Sequence, residues 1–549
     1  MTRARRLLIA VALTAAGTIA TVSPASAVAT YHVDPDGSDQ AAGTAGAPWE
    51  TLQHAVDSVE SGDTIVVHPG TYAGMRIEAS GEPGAWIRLT VAKRNTVVID
   101  RPGPQNVHDS NVELENWEGT VAYWIVEGLE VTGAPNWGID TRGTPEAPAH
   151  HIRIRRNHVH HNGLTSVKTG IFFAFTNRAT VERNNSHHNG EHGVYLSNSG
   201  DHFTVAGNRL HDNRRCGLHM NGDESQGGDG VISSGTIEDN WIEGNGSEGC
   251  AGINMDGVTD ALVRNNVIVE NHASGIAIFG QDGAVCSRDI EVVNNTIVQA
   301  TDGRWDIVVG AGCRDLTIRN NVLLTRHDWR GAISLPTAGI VGLDSDYNVV
   351  SSRFSVDDGN TSVTLAQWRN LTGQDVHSNA ASIAATLVAA SYRNRVDGPA
   401  QDGGTPTSAA DDYAGVRRPT GTAWDIGAWE TPLCAGQLAT LAGTAATDDL
   451  RGTAGDDVIV GLGGADTISG RSGDDLVCGG GGADVITGGT GADDLRGNGQ
   501  SDVIHGNGGD DVLLGGAQRD TLIGGPGDDR ANGGAGADTC TQAETRVSC

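Results

Sequence analysis

From Gly452 to Thr541 the chain can be written in nines without a gap, beginning GTAGDDVIV, GLGGADTIS, GRSGDDLVC and GGGGADVIT. Position six is aspartate in all ten repeats: Asp457, Asp466, Asp475, Asp484, Asp493, Asp502, Asp511, Asp520, Asp529 and Asp538. The eighth position is apolar at Ile459, Ile468, Ile486, Leu495, Ile504 and Leu513. Glycines let the backbone turn tightly and aim carbonyl oxygens inward, while one carboxylate per repeat supplies the charge a hard cation needs. The phase-locked apolar position then faces the interior of a coil. A glycine-rich linker would show the composition without the phase. From Cys434 to Cys549 there are 17 Asp, one Glu and six Arg, a net charge of −12. Such a segment repels itself and is expected to fold only when cations neutralise it. Gln500, Ser501, Gln518 and Arg519 depart from the pattern in the repeats beginning at Gly497 and Gly515.

These nonapeptides closely resemble the RTX, or haemolysin-type, calcium-binding repeat. The resemblance implies a parallel β-roll with Ca2+ held between successive turns by the ten aspartates. That roll is expected over residues 433–549.

A longer repeat precedes it. Asparagine recurs before a β-branched or apolar strand at Asn157, Asn184, Asn208, Asn240, Asn266, Asn295, Asn321 and Asn348, at intervals of 27, 24, 32, 26, 29, 26 and 27. In the first five coils a second asparagine follows five residues later, and then a Gly-apolar-x-apolar strand: GIFFA, GVYLS, GLHMN, GINMD and GIAIF. Short strands, a side-chain amide at a fixed corner and no helical period predict stacked β coils whose asparagines satisfy buried backbone groups. This pattern resembles the right-handed parallel β-helix of pectate-lyase-like proteins. Residues 31–74 look like the opening of that superfamily, with a capping helix expected over Thr51 to Ser61. Residues 411–430, DDYAGVRRPTGTAWDIGAWE, are similar to its closing strand. The fold class is therefore all-β: a right-handed parallel β-helix over residues 28–432 followed by an RTX parallel β-roll.

Composition fits this reading. Aromatic residues make up 4% of the chain and glycine reaches 78 residues, which suits short strands and turns rather than helical cores. Arg3, Arg5 and Arg6, an apolar run from Leu7 to Ala16, and Ala25-Ser26-Ala27 read as a secretory signal peptide over residues 1–27. No later stretch approaches the roughly 18 apolar residues of a membrane span, so an extracellular location is expected. The net charge of −31 argues against nucleic acid and anionic polysaccharide as partners of the whole surface, while leaving room for a local basic cleft that holds a polyanion. The eight cysteines are expected to form four disulfides in sequential order, because each neighbouring pair lies within or across adjacent repeats.

Strand residues alternate between core and outer face, so aligning the coils stacks two outward columns. The first reads Asp140, Phe172, Tyr195, His219, Asn254, Ala277, and the second Arg142, Ala174, Ser197, Asn221, Asp256, Phe279. A polar island within aliphatic columns is what a carbohydrate site requires. Lys168, His192 and Arg215 stand at the entrance to the same strands, and Lys168 is one of only two lysines against 35 arginines. The candidate catalytic residues are His219, Tyr195, Lys168, Arg215 and Asp256. Asn221, Asn254, Ser197, His192 and Arg142 are candidates for binding substrate. The two HHNG copies, His160 to Gly163 and His187 to Gly190, are assigned to turns.

Elimination from a uronate polysaccharide needs a base for the proton at carbon five, an acid for the leaving oxygen and a cation on the carboxylate. An epimerase uses nearly the same set and returns a proton to the opposite face. Some alginate epimerases join a β-helix to RTX modules, and the architecture here looks like theirs, although their Asp-Pro-His signature is missing. Hydrolysis needs two carboxylates across the bond, which Asp256 with Asp223, Glu224 or Asp229 can supply. A polar stripe can also grip wall or matrix glycan without cutting it. Lyase or epimerase is the leading expectation, with hydrolase and adhesin-type binder as alternatives.

Overall fold

The computed structural model describes residues 28–549 except Ala390 and Asp397; the expected signal peptide lies outside the described residues. Apart from short helices, the regular structure of the described residues is all β. From Thr30 to Ala380 it winds into coils that lay one strand on each of three parallel sheets, of 14, 11 and 12 strands. Apolar side chains from all three faces fill one continuous core, among them Ile139, Ile171, Val194, Leu218, Ile253 and Ile276 from successive coils.

The asparagines do what their spacing predicts. The backbone N–H of Asn157, Asn184, Asn208, Asn240, Asn266 and Asn295 each donates to the side-chain Oδ1 of the ladder asparagine one coil on, at 2.9–3.1 Å. Each amide nitrogen then donates to the carbonyl of a residue one coil back, as Asn240 Nδ2 does to Val205 O at 2.8 Å. The second ladder, Asn162–Asn189–Asn213–Asn245–Asn271, repeats this arrangement. A buried amide with both ends satisfied fixes the corner of each coil that carries these asparagines.

The start of the stack is closed by a helix over Leu52–Ser58, shorter than expected because Val59 is already extended. Thr51 caps it by accepting the N–H of His54 at 3.2 Å. Residues 411–430 are not a strand but a run of turns wrapped against the last coils. Their centre is the buried Arg418, which donates to Glu430 Oε2 at 2.9 Å and to the carbonyl oxygens of Asp425 and Gly427. An arginine fork with three oxygen acceptors organises turns where no ladder partner is left.

The C-terminal segment is a roll of two parallel sheets, with seven and six strands, that completes one turn in two nonapeptides. Its core is the eighth-position column Ile459, Ile468, Ile486, Leu495, Ile504 and Leu513, extended by Leu450 and Leu522. The repeat starts one unit earlier than Gly452. Gly443–Arg451 supplies Asp448, whose N–H donates to Asp466 Oδ1 at 2.8 Å as the later aspartates do two units on. All four disulfides pair in sequential order: Cys216–Cys250, Cys286–Cys313, Cys434–Cys478 and Cys540–Cys549.

Candidate active site and calcium roll

The two columns stand in the expected register, but they do not face solvent as expected: eight of the twelve residues are buried, and only Arg142, Tyr195, His219 and Phe279 are half-buried. Parallel pairing sets Asp140 beside Phe172, then Tyr195, His219, Asn254 and Ala277. The same registers align Arg142, Ala174, Ser197, Asn221, Asp256 and Phe279. One further coil, Val112–Glu115, adds Glu113 and Glu115 to the columns. Its strand lacks the Gly-apolar signature and an asparagine corner, so spacing alone did not include it.

His219 is the centre of the site. Its Nδ1 lies 2.8 Å from Asn254 Nδ2 on the next coil, and its ring centroid lies 4.5 Å from Tyr195 and 4.6 Å from His192. Burial, aided by the Arg215 charge, pushes the His219 imidazole down to about 4, so it is neutral at physiological pH. Burial raises the Tyr195 phenol above its ordinary value, while Ser197 and Asn221 approach its hydroxyl. A neutral imidazole and a protonated phenol on adjacent strands are a base and an acid of complementary state. His192 is buried, and its Nδ1 accepts the N–H of Cys216 at 3.1 Å. Burial also lowers its pKa well below the usual value. It supports the wall under His219 and is tied to the Cys216–Cys250 disulfide.

The entrance is cationic around one carboxylate that the sequence reading passed over. Glu191 Oε1 is 4.0 Å from Arg215 Nη1, and Glu191 Oε2 accepts from Thr169 Oγ1 at 3.3 Å. Burial raises the Glu191 pKa against the opposing pull of Arg215 and Lys168. The only sequence signal for it was its place immediately before His192 at the strand entrance. Lys168 Nζ sits 4.8 Å over the Trp137 ring, and the Arg142 guanidinium lies 4.5 Å over the same ring. Arg142 Nε also donates to the buried Asp140 at 2.9 Å, so Arg142 is anchored to the column behind the aromatic bar of Trp137 and Phe172.

Asp256 is engaged differently from the others. Its Oδ1 accepts the N–H groups of Gln281, Asp282 and Gly283, and its Oδ2 that of Asp282, at 2.8–3.3 Å. Its carboxylate therefore holds the 281–283 loop over the columns. That loop in turn meets the 222–230 insertion: Asp223 bridges Gly283, and Glu224 N–H donates to Asp282 O at 3.1 Å. Asn221 Nδ2 reaches Asp282 at 3.3 Å, while its buried Oδ1 has no partner. Ser197 donates to Asn198 Oδ1 at 2.7 Å. The insertion is thus the rim of the site.

The roll aspartates fit a cation. In each of Asp466, Asp475, Asp484, Asp493, Asp502, Asp511 and Asp520, Oδ1 accepts a backbone N–H from an aspartate 18 residues earlier at 2.8–2.9 Å or 3.0 Å. The Oδ2 atoms of the same residues are buried without a hydrogen-bond partner. A buried, acceptor-only oxygen without a donor is what a Ca2+ ligand looks like before the ion is counted. The repeats carrying Gln500 and Gln518 place Asp502 and Asp520 no differently.

Together the elements define a three-sheet parallel β-helix with a cluster of polar side chains on one sheet, followed by a two-sheet parallel β-roll. Residues 31–301 match the family described as "Pel9A-like, right handed beta helix region". Residues 443–477, 472–504, 479–513 and 505–540 match the RTX calcium-binding nonapeptide repeat. The chain thus has the fold of a right-handed parallel β-helix with C-terminal RTX repeats, and its residues 31–301 are similar to the Pel9A-like region. It is 26% identical over 347 residues to the uncharacterized protein YwoF of Bacillus subtilis, covering 55% of this chain and 69% of that one. It is 32% identical over 149 residues to pectate lyase PEL9 of Emericella nidulans, covering 25% of this chain and 36% of the fungal protein. The chain thus spans about a third of that lyase. Among solved structures, pectate lyase Pel9A superposes with a TM-score of 0.47 at 20% identity, over 74% of this chain and 97% of that one.

Proposed function

We propose that the protein is an exported polysaccharide lyase or epimerase acting on a uronate-containing polymer, with pectate the first substrate to test. The observation that carries this reading is the pairing of a neutral His219 with a protonated Tyr195, 4.5 Å between rings, beside Lys168 and Arg215. In this reading Lys168 or Arg215 neutralises the uronate carboxylate, which acidifies the proton at carbon five. His219 takes that proton and becomes imidazolium, and Tyr195 protonates the departing glycosidic oxygen. In an epimerase the same phenol instead returns a proton to the opposite face of carbon five. Asn221, Asn254 and Ser197 position the sugar. Asp256, with both oxygens turned to backbone N–H groups, serves as a positioning residue for the rim, which weighs against a hydrolase built on it. The four disulfides, the RTX repeats and the absence of any helix among the described residues long and apolar enough to cross a membrane support an extracellular location.

The test is an assay of the calcium-loaded protein on acidic and neutral polysaccharides, following unsaturated-uronate absorbance, reducing ends and proton exchange at carbon five. His219→Ala and Tyr195→Phe are each expected to lose about 10²- to 10⁴-fold in rate. The rate should fall below pH about 4 as His219 protonates and persist beyond the ordinary tyrosine range at the alkaline end. Full activity in both variants would remove this site from consideration. Reducing ends without unsaturated product would indicate hydrolysis, and glycan retention without any product a binder.

A further inference from the structure

A second cluster lies on another sheet: of the HHNG histidines expected in turns, His160 and His187 instead end the strands His158–His160 and Asn185–His187, and only His161 and His188 lie in the turns that follow. Parallel register stacks His158 beside Asn185 and Arg209, and His160 beside His187 and His211. The residue after each member of the second column is left-handed: His161 at φ 55°, His188 at 52° and Asp212 at 53°. That turn is needed to bring the following ladder asparagine into the core. It also folds each of these side chains back against the preceding ring. His160 Nδ1 and His161 Nδ1 come within 2.8 Å, His187 Nδ1 and His188 Nδ1 within 2.7 Å, and His211 Nδ1 and Asp212 Oδ2 within 2.7 Å.

The rings stack from coil to coil. His187 and His211 centroids are 4.5 Å apart with an interplanar angle of 18°, and His161 and His188 are 5.2 Å apart at 10°. One donor nitrogen from each of His187, His188 and His211 falls within 4.8 Å of the other two. Glu130, His158 and His160 form a second such group one coil back, and His158 Nε2 meets His187 Nε2 at 2.7 Å. His188 is exposed and the other two half-buried, so an ion can enter.

We propose that His187, His188 and His211 form a binding site for a tetragonal divalent transition-metal ion of the Cu2+ or Ni2+ type. His187 Nδ1 and His188 Nδ1, 2.7 Å apart, subtend about 80° at a metal about 2.1 Å from each, nearer the cis angle of a tetragonal ion than the roughly 109° of tetrahedral zinc. Imidazole nitrogen selects such ions over Ca2+, whose oxygen-only preference is met in the roll. Ligand imidazoles must be neutral, and burial together with the neighbouring histidines pushes His187 down to about 3. The coil repeat explains why the site exists: successive corners present a histidine followed by a left-handed polar residue, His–His twice and then His211–Asp212, at one strand spacing after another.

The experiment is a Cu2+ titration of the untagged full chain, saturated with Ca2+ to fill its carboxylate sites, read by equilibrium dialysis and by nitrogen hyperfine structure in the electron paramagnetic resonance spectrum. The wild-type protein should bind with nitrogen coordination, and the His187→Gln/His188→Gln double variant about 100-fold more weakly or worse. His272→Gln, on a different coil and outside the cluster, should bind as wild type does. Should the double variant fail to fold, His188→Gln alone, which removes an exposed ring, must still weaken binding and reduce the number of coupled nitrogens. Oxygen-only coordination in the wild type, or unchanged binding in the folded variants, overturns the proposal.

Discussion

The β-helix and the roll solve the same problem with two side chains that differ by one atom group. Both stack a polar residue at successive turns and use its oxygen to accept backbone N–H groups of another coil. In the helix the residue is asparagine, whose second end is a donor, and Asn240 Nδ2 finds Val205 O and Asn266 Oδ1. In the roll it is aspartate, whose second end is an acceptor, and Asp493 Oδ2 or Asp502 Oδ2 finds nothing. An amide ladder closes on protein alone. A carboxylate ladder leaves a row of buried charge that only a cation completes.

Chelating calcium should therefore separate the two halves. The roll is expected to lose its circular dichroism signal and become protease-sensitive while the β-helix melts as before. A roll that stays folded without calcium would break the comparison outright. Next in size is Asn240→Asp, which turns an acceptor toward two acceptors and buries a charge in the helix at a cost of about 3–5 kcal/mol, read from denaturant unfolding.

The roll also predicts a pH dependence of definite sign. Burial pushes Asp493 and Asp502 up to about 7 and Asp511 to about 6. A carboxyl whose pKa rises on folding favours the fold while protonated, so its contribution is complete below pH about 4 and lost as pH rises through 7. Calcium-free roll should be most ordered near pH 4 and unfold toward pH 8, a trend that added calcium abolishes. The smallest effect is expected from Asp493→Asn, which keeps the bond to Asp475 N–H and removes one charge. It should stabilise the calcium-free roll slightly and weaken calcium binding; the opposite result would mean that charge repulsion is not what holds the apo roll open.

What was legible depended on whether a residue's partner lies at a fixed sequence interval. The two polar columns came out in register because in-line parallel pairing converts a repeat of about 27 residues into adjacency. Glu113 and Glu115 escaped because their coil has neither the glycine nor the asparagine that marks the others, and the Asp448 repeat because GTAATDDLR carries a single glycine. Asp256 looked like a free acid, since nothing in its own coil shows that the 281–283 loop would take both its oxygens. The closing segment lost its expected strand because Arg418 gathers Glu430, Asp425 and Gly427 from a non-repeating stretch.

The sequence by itself determined the two architectures, the disulfide order, the ladder residues and the register of the columns, because all of these follow from periodicity and local backbone preference. Tertiary structure decided which polar side chains stay free for chemistry and which are consumed by loops. It also lowered the His219 pKa and raised that of Tyr195 through burial, and brought the second group of histidines together. Burial, and contacts between segments with no common period, exist only once the coils are stacked.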